Sequence, residues 1–250
     1  MGKDFFPHRK VEFVTQVIGH RGASRVEPEN SLAAFRAAAR MGADGVELDV
    51  RRTADCRLAV HHDAHLADGR AIVATPCEAL PPEVADLPAV LEACRGLDVV
   101  NVEIKNWPDD VDFDASLGVV DEVVKLLVGR PAPERAGLLV SCFHLPSVDR
   151  VRELAPGLAT AWLVIGPGAD DRSPAGEAAL VAEAAGHGHT ALHPHHAFVT
   201  PGLVSAAHDA GLAVNTWTCD DPGRIAWLAA AGVDGIVTNV PDVALAALGR

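Results

Sequence analysis

The sequence lacks several features that mark large classes of protein. Its five cysteines are odd in number and none of them form a CxxC pair, so neither a redox couple nor a cysteine-based metal site is indicated. We expect these cysteines to be reduced and mostly buried. No apolar run is long enough to span a membrane, and the first residues lack the apolar core of a signal peptide. We therefore expect a cytoplasmic protein without a transmembrane segment.

Basic residues are also scarce. The chain has 21 lysines and arginines against 34 aspartates and glutamates, which gives a net charge of −13 with histidine neutral. Such a charge repels nucleic acid and anionic membranes, so neither is an expected partner. A small anionic substrate remains compatible with the sequence where cationic side chains gather locally. The composition carries no indication of the oligomeric state.

What the chain does have is a regular alternation of short apolar runs and amphipathic segments. Hydrophobic residues make up 49% of its 250 residues and charged residues 22%, so a packed core is expected. Eight runs are predicted as strands, over residues 16–19, 45–51, 98–105, 137–143, 159–165, 190–193, 212–218 and 235–238. Eight strands alternating with helices in this length favour a closed parallel barrel, so we predict one TIM (β/α)8 barrel domain over residues 1–250.

Smaller elements complete the predicted barrel. Residues 11–14 are predicted as a short edge strand, and residues 58–62 as a short extra strand after strand two. Residues 64–86 are polar and rich in proline, which is typical of a loop. The helix after strand one begins at Asn30 or Ser31, because either residue suits the cap position. The further helices are predicted over residues 87–95, 114–128, 147–154, 175–185, 200–211, 221–231 and 241–248.

Three acidic residues lie at the ends of predicted strands: Glu47 and Asp49 on strand two, and Glu103 on strand three. Residues two apart on a strand point to the same side, and the carboxyl ends of barrel strands share one face. Three carboxylates there would repel one another unless a cation neutralises them, and oxygen ligands favour Mg²⁺ or Ca²⁺ over zinc. The alternative is that cationic side chains pair with them. Those side chains are Arg21, Arg51 and Lys105.

Two histidines flank the acidic pair of strand two. His20 ends strand one, and His62 ends the extra extended piece. Because imidazole titrates near neutral pH, the two are predicted to act as general acid and general base, with neither role assigned. His61 competes with His62, but alternation directs only one of them toward the site. Asp63 follows His62 and either orients a histidine or closes the turn.

Substrate-binding residues are predicted around the same face. Arg21 and Lys105 are suited to hold an anionic substrate, because a guanidinium matches phosphate in fork geometry and an ammonium acts as a point charge. Pairing with the carboxylates is the alternative for both, and the two roles are compatible. Trp217, near the end of strand seven, is predicted as a wall of the pocket rather than as an ordinary core residue.

A second group of histidines lies between residues 187 and 196. Its members are His187, His189, His193, His195 and His196. No cysteine or closely spaced acidic residue accompanies them, so a zinc site is not favoured and we expect mostly a solvated loop. His193 ends strand six and is therefore a further candidate for the barrel mouth.

At these residues the sequence resembles the glycerophosphodiester phosphodiesterase family, which belongs to the PI-PLC-like phosphodiesterase barrels. The matching segments are HRG at 20–22, PENS at 28–31, GADGVELDV at 42–50, HHD at 61–63, VEIK at 102–105, SCF at 141–143, NTWT at 215–218 and GVDGIVTNVPD at 232–242. They span nearly the whole chain. The resemblance implies a TIM barrel, Mg²⁺ or Ca²⁺ on the three carboxylates, and the two histidines as general base and general acid. The implied reaction cleaves a glycerophosphodiester to glycerol 3-phosphate and an alcohol, with a neighbouring glycerol hydroxyl as one possible first nucleophile.

The sequence departs from the family pattern at a few places. Cys56 occupies a turn position where the family usually has glycine, which is expected to change only a surface turn. Asn239 stands where the family usually has aspartate, and the lost charge is expected to alter substrate preference. The segment between Asp63 and Leu87 is short, so we expect an open mouth that admits bulky head groups or lysolipids.

Three functions are compatible with these residues. The first is a soluble glycerophosphodiesterase. The second is a lysophospholipase D or cyclising phosphodiesterase that acts on lysophospholipids in the same barrel site. The third is a non-catalytic barrel that binds phosphodiesters, and the intact set of histidines and carboxylates argues against it.

Overall fold

A computed structural model describes residues 14–166 and 173–250 of the chain. The described residues contain nine strands: β1 (Gln16–His20), β2 (Gly45–Arg52), β3 (Leu58–Val60), β4 (Val99–Ile104), β5 (Leu138–Cys142), β6 (Ala159–Val164), β7 (Ala191–Pro194), β8 (Ala213–Thr216) and β9 (Gly235–Thr238). Their helices are α1 (Leu32–Met41), α2 (Leu87–Ala93), α3 (Gly118–Val128), α4 (Ala132–Arg135), α5 (Leu145–Leu154), α6 (Pro174–Gly186), α7 (Pro201–Asp209), α8 (Pro222–Ala230) and α9 (Pro241–Ala247).

Eight of these strands form a closed parallel barrel. β1 pairs with β2 on one side and with β9 on the other, and the remaining order is β9-β8-β7-β6-β5-β4-β2. Strands of this kind are covered on both faces and therefore carry nearly continuous apolar runs, as in the fully buried LLVSC of β5. The predicted TIM (β/α)8 barrel is confirmed. The extra strand β3 pairs antiparallel with the end of β2, outside the barrel.

The main core lies between the barrel and its outer helices. One cluster surrounds β2, β4 and β5 and includes Phe35, Leu48 and Leu127, all fully buried. A second surrounds β7, β8 and β9 and includes Ile225 and Ile236, also fully buried. Burying each such side chain contributes about 1.5–3 kcal/mol. This packing fixes the strand ends, and therefore the side chains that project from them into the mouth.

The structure decides which of two residues, Asn30 or Ser31, is the N-cap of helix α1. Ser31 Oγ accepts the backbone N–H of Ala34 at 3.1 Å, so Ser31 is the N-cap. Asn30 instead adopts a left-handed conformation with a φ of 57° and turns toward the barrel mouth. Gly42, with a φ of 88°, ends the helix.

Several predicted boundaries are wrong by a few residues. Helix α3 begins at Gly118 rather than at residue 114, because Leu117 is left-handed and the Asp114 carboxylate accepts backbone N–H groups in a turn. Strand β8 ends at Thr216, so Trp217 directly follows the strand instead of ending it. The short helix α4 was not expected. Residues 11–13 of the predicted edge strand lie outside the described residues.

The segment 64–86 is more ordered than the loop that its composition predicts. It contains two short 3₁₀ helices, Ile72–Ala74 and Cys77–Ala79. Leu66 and Ile72 are buried in a small apolar cluster against Ala59 of β3. The extra strand therefore has a minor core of its own beside the barrel mouth. No helix among the described residues is long and apolar enough to cross a membrane.

Candidate active site

Three carboxylates meet at the carboxyl ends of neighbouring strands. β2 carries Glu47 and Asp49, and the strand register places Asp49 beside Glu103 of β4. All three side chains are buried, and each offers a carboxylate oxygen within 4.8 Å of the other two. Oxygen ligands in this arrangement suit a hard divalent cation. The three residues are therefore a candidate metal-binding group.

Two cationic side chains offset part of this charge, and both approach Asp49. Lys105 Nζ lies 2.9 Å from Asp49 Oδ1 and donates a hydrogen bond to Glu103. Arg21 Nε lies 3.1 Å from Asp49 Oδ2. Burial would raise the pKa of Asp49, but Lys105 and Arg21 outweigh burial and lower this pKa far below its usual range. Asp49 is therefore ionised. It pairs with cationic side chains, which is the alternative to metal binding expected from the sequence.

Glu47 is the least neutralised of the three. Its Oε2 accepts the backbone N–H of Arg21 at 3.0 Å, whereas its Oε1 has no hydrogen-bond partner among the described residues. Burial, followed by the charges of Asp49 and Glu103, raises the pKa of Glu47 well above its usual value. A buried oxygen left without a partner is destabilising. A cation shared by the three carboxylates would satisfy it, so the residues present fit a divalent metal.

The turn after β1 is shaped by close backbone contacts. Arg21 is left-handed, with a φ of 55°, which directs its N–H to Glu47 while its carbonyl accepts the N–H of Asn30 at 3.0 Å. Gly22 has a φ of 84°, and a Cβ there would lie 2.5 Å from the backbone of Ala34, so glycine is required. Asn30 Nδ2 then donates to Asp49 Oδ2 at 2.7 Å. The HRG and PENS segments thus hold the carboxylate group from one side.

His20 is held by a chain of hydrogen bonds from the neighbouring strand end. Asn239 Nδ2 donates to Asp220 Oδ2 at 2.8 Å, which directs the amide oxygen of Asn239 toward His20. That oxygen accepts from Ser24 Oγ at 2.9 Å and lies 2.7 Å from His20 Nδ1. Because an amide oxygen only accepts, the proton of neutral His20 must be on Nδ1.

The other nitrogen of His20 faces the carboxylates. With the proton on Nδ1, Nε2 carries a free lone pair, and it lies 3.9 Å from Glu47 Oε2. Burial, followed by the positive charge of Arg21, lowers the pKa of His20 below its ordinary value. The imidazole is therefore neutral at physiological pH, as a general base must be.

His62 has a different partner. Its Nδ1 lies 2.7 Å from Asp63 Oδ1, and this hydrogen bond lowers the pKa of Asp63, so the partner is an ionised carboxylate. The His62 side chain is 36% exposed. His61 instead bonds through Nδ1 to the carbonyl of Asp63 and does not line the same cleft. The structure therefore places His62, not His61, at the site.

The predicted site residues surround one cleft of about 130 Å³ in the barrel mouth. Seven of the eight line it: His20, Arg21, Glu47, His62, Glu103, Lys105 and Trp217. The eighth, Asp49, is fully buried and reaches the others through Lys105 and Arg21. Trp217 lines the cleft, with Nε1 donating to the carbonyl of His193 at 2.7 Å. Sequence-distant residues thus converge because the barrel gathers the strand ends.

A second, larger cavity of about 330 Å³ adjoins this cleft and shares His62 and Lys105 with it. Its outer wall is apolar. Trp107 is 46% exposed and Ile165 62% exposed, and Phe143 lies between the two cavities. The mouth therefore combines a polar floor with an apolar side that is open to solvent.

Some residues behave differently from the sequence prediction. Arg51, considered as a partner of the three carboxylates, pairs instead with Asp110 and Asp112, at 2.9 and 2.6 Å. The supporting roles of Asn30 and Asp220 were missed. Asn30 belongs to the PENS segment that matches the family, which is a signal of a role at the site. A role as the helix N-cap, however, explains an asparagine at this position equally well.

The second histidine group is not the solvated loop that the sequence predicts. His193 is buried on β7, lines the cleft, and accepts a hydrogen bond from Asn215 at Nε2. Burial lowers the pKa of His193 to about 3, so it is neutral. His189 is also buried, and Asp149 of α5 supplies an acidic neighbour that sequence spacing does not reveal.

Comparisons with known proteins agree with this geometry. The model of the glycerophosphoryl diester phosphodiesterase family matches residues 20–71 and 69–243. A glycerophosphodiester phosphodiesterase of Caldanaerobacter subterraneus is 30% identical over 91% of this chain and 95% of its own. A crystal structure of a putative glycerophosphoryl diester phosphodiesterase from Silicibacter pomeroyi superposes with a TM-score of 0.81 and 27% identity, over 95% of this chain and 94% of that one.

The fold is also that of an Oleispira antarctica phosphodiesterase whose structure contains the product sn-glycerol-3-phosphate. That structure superposes with a TM-score of 0.82 and 24% identity, over 95% of this chain and 98% of that chain. At this identity the likeness concerns the barrel itself.

Proposed function

The chain belongs to the glycerophosphoryl diester phosphodiesterase family of phosphoric diester hydrolases, and we propose that its cleft hydrolyses glycerophosphodiesters to glycerol 3-phosphate and an alcohol. The observation that carries this proposal is the convergence of two differently partnered imidazoles and three buried carboxylates at one end of the barrel. The relatives' names and the product in the Oleispira structure support the substrate class.

Glu47, Asp49 and Glu103 would hold the divalent cation, Mg²⁺ or Ca²⁺, because they offer only oxygen ligands. When bound, such a cation stabilises negative charge on the phosphoryl oxygens. The unpartnered Oε1 of Glu47 supports this assignment. Lys105 and Arg21 already keep Asp49 ionised. Metal binding would therefore not have to remove a proton from this residue.

His20 is the general base in this proposal. Its Nδ1–H is committed to Asn239, which leaves the Nε2 lone pair directed into the cleft. The lowered pKa keeps this nitrogen unprotonated at neutral pH. Nε2 removes the proton of the attacking hydroxyl, either the neighbouring glycerol hydroxyl or water.

His62 is the general acid. The Asp63 carboxylate lies 2.7 Å from Nδ1 of His62 and orients its ring, as the carboxylate does in a carboxylate–histidine pair. Its cleft-facing nitrogen protonates the leaving alcohol oxygen as the P–O bond breaks. When the glycerol hydroxyl attacks first, the product is a cyclic phosphate, and water opens it with the two histidines in exchanged roles.

The remaining cleft residues bind the substrate. Arg21 and Lys105 line the cleft beside the carboxylates and offset the charge of the phosphodiester. Trp217 closes the side of the cleft, and its ring is fixed by an edge-to-face contact with Phe143 at 5.4 Å between centroids.

Glycerol 3-phosphate release from glycerophosphocholine and glycerophosphoethanolamine tests the proposal, with Mg²⁺, with Ca²⁺ and with a chelator. We expect metal-dependent release, reduced by about 10²–10⁴ in His20→Ala. His61→Ala is the matched control, because this neighbouring histidine lies outside the cleft. Unchanged turnover in His20→Ala would overturn the assigned site, and the absence of release with either metal would overturn the substrate class.

The apolar wall of the larger cavity supports a second candidate function, a lysophospholipase D or cyclising activity on lysophospholipids. Exposed Trp107 and Ile165 would contact an acyl chain beside the phosphodiester. Product analysis with lysophosphatidylcholine tests it. Turnover that falls in Ile165→Asp while glycerophosphocholine hydrolysis is unchanged supports this function. Equal effects on both substrates contradict it.

A further inference from the structure

A second group of potential metal ligands lies on the outside of the barrel, away from the mouth. Asp149 is on α5, His187 follows the last residue of α6, and His189 lies two residues before the start of β7. The amino ends of the strands face away from the catalytic mouth, so this group is independent of the cleft. It consists of two imidazoles and one carboxylate, with a ligand atom from each within 4.8 Å of the others.

The distances between the ligand atoms are close to those between the ligands of one small ion. His187 Nδ1 lies 2.9 Å from Asp149 Oδ1, and His189 Nε2 lies 3.4 Å from the same oxygen. Ligands about 2.0–2.1 Å from a tetrahedral zinc are separated by about 3.3 Å. The two imidazole rings are nearly parallel, with 15° between their planes and 6.0 Å between centroids. Little movement would therefore bring the three ligand atoms around a single ion.

His189 supplies a second, independent observation. Its side chain is completely buried, and Nε2 has no hydrogen-bond partner among the described residues. Its Nδ1 lies 3.2 Å from Thr160 Oγ1. When Nδ1 donates to this hydroxyl, the lone pair of Nε2 faces the Asp149 carboxylate. A buried imidazole lone pair that faces a carboxylate oxygen is unfavourable unless a cation lies between the two acceptors.

We propose that Asp149, His187 and His189 form a binding site for a borderline divalent cation, with Zn²⁺ as the best match. Imidazole nitrogen suits Zn²⁺ better than Mg²⁺ or Ca²⁺, which distinguishes this site from the oxygen-only group in the mouth. His187 and Asp149 are partly exposed, so water completes the coordination. Thr160 orients His189 from behind, as outer hydrogen bonds do in metal sites.

The ion would reinforce a connection that the hydrogen bond between His187 and Asp149 already makes. It ties the middle of α5 to the turn between α6 and β7, which ends the next strand–helix unit along the barrel wall. Residues at this end of a TIM barrel serve stability rather than chemistry. Because the bound ion favours the folded state, we expect it to raise the unfolding temperature without changing phosphodiester turnover.

Zn²⁺ binding to metal-free protein tests the proposal, measured by competition with a chromophoric chelator and by thermal unfolding with and without Zn²⁺. The variants are His187→Gln, at an exposed position that does not threaten folding, and His189→Gln. His208→Gln is the matched control, because His208 forms a similar exposed pair with Asp234 at 2.8 Å but has no second histidine ligand in that pair. Glu47→Gln separates this site from the mouth.

We expect His187→Gln and His189→Gln to weaken Zn²⁺ binding by at least about 10-fold and to abolish the Zn²⁺-dependent rise in unfolding temperature. His208→Gln and Glu47→Gln should keep both. Co²⁺ should give visible absorption bands of a nitrogen-containing site in the wild type and lose them in His187→Gln. A Zn²⁺ affinity unaffected by His187→Gln, or no Zn²⁺-dependent rise in the wild type, would show an ordinary His–Asp pair. Neither result bears on phosphodiester turnover, so the two proposals fail separately.

Discussion

Nδ1 of His20 and the amide oxygen of Asn239 lie 2.7 Å apart, joining the ends of β1 and β9 across the closure of the barrel. From sequence alone, Asn239 is a departure from the family pattern that removes a charge from the mouth. In the structure, the nearest carboxylate in this chain of hydrogen bonds is that of Asp220, which contacts Asn239 rather than His20. Because Asn239 Nδ2 donates to Asp220, the amide oxygen of Asn239 is directed toward His20. The pair therefore fixes the tautomer of His20 without placing a negative charge beside it.

The pH dependence of turnover tests this relationship. The pKa of His20 is lowered from its ordinary 6.5, so the unprotonated base persists as pH falls, and the acid limb of kcat/KM should lie below pH 6.5. Asn239→Asp places a carboxylate against Nδ1–H, which stabilises the imidazolium and should move the acid limb to higher pH. Ser24→Ala removes a neutral contact with the same oxygen and should leave the limb in place. An acid limb that does not move in Asn239→Asp would contradict the role of His20 as base.

The acid role of His62 predicts a dependence on the leaving group. His62→Gln should slow release of a poor leaving group such as choline by about 10²–10⁴, because an alkoxide needs a proton as it departs. A p-nitrophenyl leaving group needs no proton, so its release should be affected far less. Asp63→Asn should show the same selectivity in weaker form, since it removes only the orienting carboxylate. Equal losses for both leaving groups would assign His62 to another function.

Metal binding in the mouth should release protons. Burial and the neighbouring carboxylates raise the pKa of Glu47, so without metal this side chain keeps its proton to higher pH than an ordinary glutamate. A cation must displace that proton, and Mg²⁺ or Ca²⁺ affinity should therefore rise with pH. Calorimetric titrations in buffers of different ionisation enthalpy measure the protons released. Glu47→Gln should reduce both the affinity and the proton release, and an affinity independent of pH would argue against Glu47 as a ligand.

Lys105 should matter to stability as well as to binding. Its Nζ contacts both Asp49 and Glu103, and although burial opposes its charge, these carboxylates raise the pKa of Lys105. Lys105→Met leaves the buried Glu103 without its cation and Asp49 with Arg21 alone, which should cost about 3–5 kcal/mol in the free energy of unfolding. Urea unfolding without divalent metal measures the loss. Adding Glu103→Gln should recover part of it, and a loss below about 1 kcal/mol would contradict the pairing.

The barrel could be predicted from sequence because its signal is repeated eight times. Each apolar run was ambiguous alone, but the regular alternation with helices specified a parallel closed sheet. Once the barrel was assumed, Glu47, Asp49 and Glu103 had to share one end, because that end is set by strand direction. Boundaries were less accurate where a side chain competed with the helix, as Asp114 does ahead of α3.

The supporting contacts could not be predicted in this way. The pattern at Asn30 and Ser31 fits a helix cap, and only the fold shows that Ser31 caps while Asn30 bonds Asp49. Asp149 and His187 are separated by 38 residues and meet because α5 and α6 occupy neighbouring positions outside the barrel. Such contacts depend on the lateral packing of helices, which the periodicity of a single segment does not encode.

Because β9 closes the barrel against β1, the protein can become active only late in its synthesis. His20 emerges from the ribosome well before Asn239, the residue that fixes its tautomer, because 219 positions separate the two. β1 also needs β9 as one of its two neighbours, with Gly19 opposite Thr238. A nascent chain lacking residues 235–239 would therefore carry both histidines and all three carboxylates and still be inactive. The first appearance of activity would report the addition of the last strand.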